Sequence, residues 1–270
     1  MVILITGTSK GLGKAIADNY LLNEHIVIGC SRSKTSIVHE NYYHKELDVT
    51  SEECLFDLVK FVRKEFGVLD VLINNAGVMF PPESKTKDGF ELQFGVNFIA
   101  HFALTAHLFE LINATKNSRI VTLSSIAHKN GVIDFDNLRL EKPYDKFREY
   151  GQSKVADLIF TLELQRRLEK NNLNILSVGA HPGISKTELL RTDKPEMIDE
   201  FPHMSANQGA YSTLCAATEH IEGGSYIGPN GEGEMTGLPA PAFISAYAQD
   251  ETIGKQLWEY AERELGLRFL

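Results

Sequence analysis

Val2-Ile3-Leu4-Ile5-Thr6-Gly7-Thr8-Ser9-Lys10-Gly11-Leu12-Gly13 is the stretch on which the fold turns. A short run of β-branched and aliphatic residues enters a turn punctuated by glycines. Beyond it, Leu12, Ala15, Ile16 and Tyr20 recur at the spacing of one helix face. Strand, tight turn and helix in that order place a backbone close enough to cradle a pyrophosphate, whose charge then sits at the helix N-terminus. Three glycines alone form an ordinary turn; the strand before and the helix after favour nucleotide binding.

The same alternation continues outward. Apolar runs at Val2–Ile5, Ile26–Ile28, Leu69–Ile73, Ile120–Leu123 and Ile175–Val178 suit strands buried on both faces of a parallel sheet. Between them, Leu55, Leu58, Val59, Val62 and Phe66 form a helical stripe. Strand alternating with helix, undivided by a Pro/Ser-rich linker or a repeat, predicts one doubly wound domain over all 270 residues. Within it, residues 1–120 would mainly bind a cofactor, and residues 121–270 would carry the catalytic groups and a covering C-terminal part. Gly223–Pro241 is expected as a loop around one short strand at Tyr226–Ile227, and a last helix is expected over Thr252–Glu264.

Composition narrows the function. Hydrophobic residues make up 43% and charged residues 23%, an ordinary globular balance that excludes disordered and collagen-like chains. The formal net charge of −9 disfavours nucleic acid and anionic membranes as partners. Cys30, Cys54 and Cys215 are too few and scattered for a disulfide framework, so a cytoplasmic setting is expected. No run of eighteen apolar residues suggests a membrane span. The nine histidines show no helical metal-binding pair, and no metal site is expected.

Downstream come Asn74-Asn75-Ala76-Gly77, after a strand, and Tyr150-Gly151-Gln152-Ser153-Lys154. With the Gly-x3-Gly-x-Gly spacing of the first turn, these motifs resemble the main branch of the short-chain dehydrogenase/reductase superfamily over nearly the whole chain. The resemblance implies an α/β single-domain doubly wound Rossmann fold, with a mainly parallel central sheet flanked by helices. It also implies an enzyme transferring a hydride between a nicotinamide cofactor and a carbonyl/alcohol pair. The implied cofactor contacts are Gly7, Ser9, Lys10, Gly11, Leu12, Gly13, Ser31, Arg32, Asp48, Val49, Asn75, Ala76, Gly77, Tyr150, Lys154, Pro182, Gly183, Ile184 and Thr187.

The end of the second strand bears on which cofactor is used. An NAD-preferring relative would carry an acid there against the adenosine 2′-hydroxyl. Gly29-Cys30-Ser31-Arg32 has none, and Arg32 with Lys10 offers positive charge for a 2′-phosphate. NADP(H) is therefore expected, with NAD(H) as the alternative, although both cations also suit a solvated surface. Asp48 resembles the family aspartate that bonds the adenine amino group; otherwise it would be a helix cap, a task Thr50 and Ser51 suit better.

Tyr150 and Lys154 stand four apart on a helix, hence on one face. An ammonium beside a phenol favours the phenolate and makes a usable acid/base. By resemblance, Tyr150 exchanges the proton with the reacting oxygen, and Lys154 also binds the nicotinamide ribose. Ser125 is the implied serine on that oxygen, with Ser124 as the structural alternative. Asn97 resembles the asparagine that kinks its helix and holds a relay water. Thr187, ending Pro182-Gly183-Ile184-Ser185-Lys186-Thr187, matches the carboxamide contact, while His181 reads as a structural strand-end histidine.

Gln93-Phe94-Gly95-Val96-Asn97, Ile133-Asp134-Phe135-Asp136-Asn137-Leu138 and Tyr226-Ile227-Gly228-Pro229 resemble the retinol-dehydrogenase-like and WW-domain-oxidoreductase-like branch. The interval from Arg32 to Asp48 is short for that branch and leaves little room for its usual helix. Met79, Phe80, Ile126, Ala127, His128, Phe135, Leu138, Leu140, Phe147, Phe201 and Met204 are expected around an apolar substrate cleft. An apolar aldehyde or ketone is the expected substrate. A catalytically silent dinucleotide-binding sensor and an enone C=C reductase are the alternatives. In the superfamily the helices holding Asn97 and Tyr150 often pair two subunits, which implies a homo-oligomer.

Overall fold

A computed structural model of the chain describes residues 1–189 and 202–270. The opening apolar run forms β1 (Val2–Thr6), with all five residues buried. Successive strand side chains point to opposite faces. Ile3 and Ile5 accordingly enter one core and Val2 and Leu4 the other, so both faces of the strand must be covered.

β1 pairs in parallel with β2 (Ile26–Ser31) and β4 (Val71–Asn74), and β2 with β3 (Tyr42–Glu46). Beyond β4 follow β5 (Ser118–Leu123), β6 (Ile175–Ala180) and β7 (Tyr226–Pro229), all parallel, then β8 (Pro239–Pro241) antiparallel on β7. The eight-stranded order is β3-β2-β1-β4-β5-β6-β7-β8. Strand order reverses between β1 and β4, and the crevice outside their C-terminal ends is where ligands bind in such sheets.

Helices α1 (Gly11–Leu22) and α6 (Ala206–Thr218) cover the Ile3 face. Helices α2 (Glu52–Glu65), α4 (Ala100–Ala114), α5 (Lys146–Lys170) and α8 (Glu251–Leu265) cover the other. In α2 the expected stripe is the packed one: Leu55, Leu58 and Val62 are buried, with Val59 and Phe66 against them. α3 (Leu92–Phe94), a π-helical turn at Gly95–Ile99 and α4 run together as Leu92–Ala114. By length and composition this helix could cross a membrane; 72% of its most apolar window is buried inside the fold.

Three expectations change. β3 was not expected from its polar Tyr-Tyr-His-Lys-Glu sequence. Gly223–Pro241 holds a four-residue β7, a 3-10 turn at Glu232–Glu234 and β8 rather than a loop around Tyr226–Ile227. The α4–α5 face that a second subunit would use is covered by α8. There Trp258 packs edge-on to Phe102 at 4.9 Å and stacks on Phe160 at 5.9 Å. A second subunit pairing through α4 and α5 would meet α8 there. The short interval after Arg32 forms no helix before β3, as its length implies.

Candidate active site

The turn after β1 is built around Thr6. Its hydroxyl oxygen accepts the N–H groups of Asn75 (2.9 Å) and Ala76 (2.8 Å). His101, buried on α4, lies 2.7 Å from the Asn97 carbonyl through Nδ1 and 3.1 Å from Thr6 Oγ1 through Nε2. A carbonyl only accepts, so Nδ1 carries the proton and Nε2 accepts from the Thr6 hydroxyl. Burial and then the Lys154 charge push His101 down to about 3, keeping it neutral. One side chain thus ties the glycine turn to the Asn97 segment. The Asn75 amide donates to the Thr6 carbonyl at 2.6 Å and closes the same knot.

The glycines do what their positions require. Gly7 has φ +79°, and a Cβ there would sit 2.9 Å from the Asn75 amide. A Cβ on Gly13 would collide with the Gly7 carbonyl, so α1 packs against the turn only with glycine there. A Cβ on Gly11 would lie 3.5 Å from Thr187, which brings the 182–187 segment over the turn.

α2, α5, α6, α7 (Ala246–Gln249) and α8 each begin on a side-chain cap; α1 begins at Lys10 with none. Its first-turn N–H groups are available to an anion, which fits a dinucleotide pyrophosphate.

At the adenosine end, Ser31 donates to the Ser33 carbonyl at 2.9 Å. Arg32 is exposed and has no ion pair among the described residues. Lys10, also exposed, is paired with Glu188, so part of its charge is already answered. Asp48 accepts Thr50 N–H (2.9 Å) and hydroxyl (2.8 Å) through Oδ1, while Ser51 caps α2. Asp48 Oδ2 has no partner among the described residues, and Val49 beside it is buried. Gly183 has φ +59°, and Ile184 N–H donates to the Met235 carbonyl at 2.7 Å, fixing the segment on the loop after β7.

Asn97 lies in the π turn. Its Oδ1 accepts Val78 N–H at 2.8 Å, and Nδ2 donates to the Val78 carbonyl (3.1 Å) and Ser153 Oγ (2.9 Å). Both amide hydrogens are thus spent on the loop after Gly77 and on α5. The serine pair divides: Ser124 is buried and donates to the Lys154 carbonyl at 2.6 Å, whereas Ser125 Oγ only accepts, from Ala127 N–H at 3.2 Å. The Ser125 carbonyl is held by His128 Nδ1 (2.7 Å) and the Tyr226 hydroxyl (3.3 Å).

Tyr150 is 7% exposed, and no described residue bonds its hydroxyl. Lys154 Nζ donates to the Leu123 carbonyl (3.0 Å) and Asp157 Oδ2 (2.8 Å). Burial alone would lower its pKa, but the Asp157 carboxylate and the Tyr150 phenol hold it above the ordinary lysine range. An ammonium has three donors, so one remains.

Phe80 sits edge-on to Tyr150 at 5.4 Å and to Phe147 at 4.6 Å. It is placed by Gln93, fully buried, which accepts Phe80 N–H at 3.0 Å and donates to the Lys146 carbonyl at 3.1 Å. Other expected cleft residues lie elsewhere. Leu138 is core, Phe135 packs on Tyr260 at 6.4 Å, and Met204 is buried in a bridge with Ser185. Phe201 falls outside the described residues. His181 is buried with Nδ1 accepting Gly183 N–H at 3.2 Å; burial pushes its pKa down to about 4, as a structural residue allows.

His101 and Asp157 were not picked out from sequence, and Gln93 only as part of the Gln93–Asn97 stretch. Of the first two, only Asp157 left a trace, an acid three residues after a lysine on one helix.

The profile of the short chain dehydrogenase family matches residues 1–197. Retinol dehydrogenase 11 of Homo sapiens is 36% identical, with 98% of this chain and 86% of the relative covered. Retinol dehydrogenase 14 of Mus musculus is 34% identical over the same shares. An uncharacterised protein from Mycobacterium paratuberculosis superposes with a TM-score of 0.83 at 32% identity, covering 100% of this chain and 94% of that one.

The chain belongs to the short-chain dehydrogenase family, an oxidoreductase family whose fold binds a nicotinamide dinucleotide. Within it, the chain is retinol-dehydrogenase-like.

Proposed function

We propose that the chain is an NADP(H)-dependent oxidoreductase acting on an apolar aldehyde or ketone and the corresponding alcohol. The observation that carries this reading is the Tyr150 hydroxyl, left without a partner among the described residues, four positions from a buried ammonium. When bound, the dinucleotide accepts or supplies the hydride. Tyr150 gives the proton to the carbonyl oxygen in reduction and takes it back in oxidation. Ser125, whose hydroxyl proton is uncommitted, donates to the same oxygen; Ser124 has spent its own on α5.

Lys154 keeps its charge beside the phenol and offers its third N–H to the nicotinamide ribose. Asn97 holds the loop after Gly77 against α5. The turn of Gly7, Ser9, Gly11, Leu12 and Gly13 takes the pyrophosphate at the uncapped start of α1. Asp48 and Val49 flank the adenine, Asn75 to Gly77 the adenosine side, and Pro182 to Thr187 the carboxamide. Residues 1–120 thus serve the cofactor and residues 121–270 supply Ser125, Tyr150 and Lys154.

NADP(H) rather than NAD(H) is supported by the absence of an acid at the end of β2 and by Arg32. The relatives' names denote dehydrogenases of retinol, an apolar alcohol, which points the same way as Phe80 and Phe147. A cytoplasmic setting is supported by the three free cysteines.

The test is NADPH consumption with aldehydes, ketones and enones, run beside Tyr150→Phe. Apolar carbonyls should turn over, and Tyr150→Phe should lose at least about a hundredfold in kcat while binding NADPH as the wild type does. Reduction of enones alone, NADPH binding without turnover, or an active Tyr150→Phe would overturn the reading.

A further inference from the structure

The proposed reaction uses Lys154 but not the carboxylate attached to it. Asp157 lies one turn along α5, its side chain 1% exposed. Oδ2 accepts from Lys154 Nζ at 2.8 Å, while Oδ1 is buried without a hydrogen-bond partner among the described residues. A carboxylate half-satisfied in a dry site is costly to keep. An asparagine of the same shape would fill that place on the helix without a buried charge. The charge therefore calls for a reason at the ammonium it touches.

Few other groups near the pair change charge. On α4, burial and Lys154 hold His101 neutral, at about 3. On β7, burial raises Tyr226 well above the ordinary phenol range. After β5, burial lowers His128, and Lys129 turns to Glu234 at 2.9 Å. At the end of β6, burial pushes His181 down to about 4. On α5 itself stand Tyr150, Lys154 and Asp157, the last raised by burial to about 7 against the opposing pull of Lys154. Lys154 and Asp157 are thus the buried charged pair on this face of α5.

We propose that Asp157 is a positioning residue: its carboxylate anchors the Lys154 ammonium beside β5 and sets how much of that positive charge reaches the Tyr150 phenol. The inference rests on the pairing of Tyr150 and Lys154 proposed above. With Asp157 ionised, Tyr150 faces a compensated ion pair. With that charge removed, it faces a lone ammonium that favours the phenolate more strongly. Two of the three ammonium donors are fixed, to Leu123 and Asp157, so the remaining one has a defined direction.

The experiment uses the full chain without cofactor or substrate. Tyrosinate absorbance is titrated in wild type, Tyr150→Phe, Asp157→Asn and the double variant. The difference between each protein and its Tyr150→Phe counterpart isolates Tyr150. In the Asp157→Asn background the ionisation of Tyr150 should move to lower pH by about one unit, the size expected of a single nearby charge. Asp157→Glu, which restores the carboxylate, should bring it back toward wild type. An unchanged midpoint in Asp157→Asn, or a Glu variant that shifts as the Asn variant does, would overturn the proposal. If Asp157→Asn does not fold, the Glu variant alone decides: a midpoint at the wild-type value supports the charge role, and a shifted one overturns it. Turnover by the wild type is a separate measurement, so the titration can fail while the oxidoreductase reading stands, and the reverse.

Discussion

At the residue scale, the proposed preference for NADP(H) rests on Arg32. Lys10 is paired with Glu188, so Arg32 is the cation at the end of β2 with no ion pair among the described residues. A charged hydrogen bond to a 2′-phosphate contributes about 1.5–3 kcal/mol, or roughly tenfold to a hundredfold in affinity. Arg32→Ala should therefore weaken NADPH by at least about tenfold and leave NADH nearly unchanged. Titrating both cofactors into wild type and variant checks it; equal losses would remove Arg32 from the phosphate site. Arg32 was legible because its neighbours in sequence place it at a strand end. His101 was not, because its partner Thr6 comes within reach only when α4 packs beside the sheet; Asp157 showed its lysine one turn back on the same helix, but not the burial of its other oxygen.

Among the elements, α8 is the one whose position changes the picture. Trp258 is buried between Phe102 and Phe160, with Phe269 at 4.8 Å and the Arg167 guanidinium over its ring at 4.3 Å. Trp258→Ala empties the joint that holds α8 on α4 and α5, and should cost about 3–5 kcal/mol of stability. Denaturant unfolding measures it; a loss below about 1 kcal/mol, the range of surface changes, would show that α8 is not fastened there.

The helix itself was readable from its periodicity, and the observed Glu251–Leu265 extends the expected span by one residue at each end. β3 and β8 were not, for a common reason: each is an edge strand. β3 pairs on one side only and keeps its Tyr, His and Lys partly in water, and β8 is three residues bounded by prolines. A strand with one free edge needs no apolar run, so the signal that revealed β1, β4 and β5 is missing. The covering of the α4–α5 face was equally hidden, since periodicity marks the face a helix buries but not the surface it packs on.

At the scale of the molecule, two segments meet beside the rigid sheet, and the proposed choice of substrate rests on where they meet. The turn after β4 brings Phe80, the start of α5 brings Phe147 and Tyr150, and Gln93 clamps the first of these loops to the second. Phe147 is 64% exposed although its ring lies against Phe80. A ligand tail laid along that pair would gain apolar cover without displacing packed core. Phe135 and Leu138 are committed to the core, so the apolar wall is shorter than the sequence suggests. Each methylene removed from water contributes about 0.8 kcal/mol, or roughly fourfold. In a series of straight-chain aldehydes with NADPH, kcat/KM should rise by about that factor per methylene over the first extensions and then level off as the chain outgrows the two rings. Phe147→Ala should flatten the rise while leaving the shortest aldehyde little affected, because the loss is confined to the tail. A profile flat from the start in the wild type, or faster turnover of hydroxylated aldehydes than of their apolar counterparts, would show that these rings do not select the substrate.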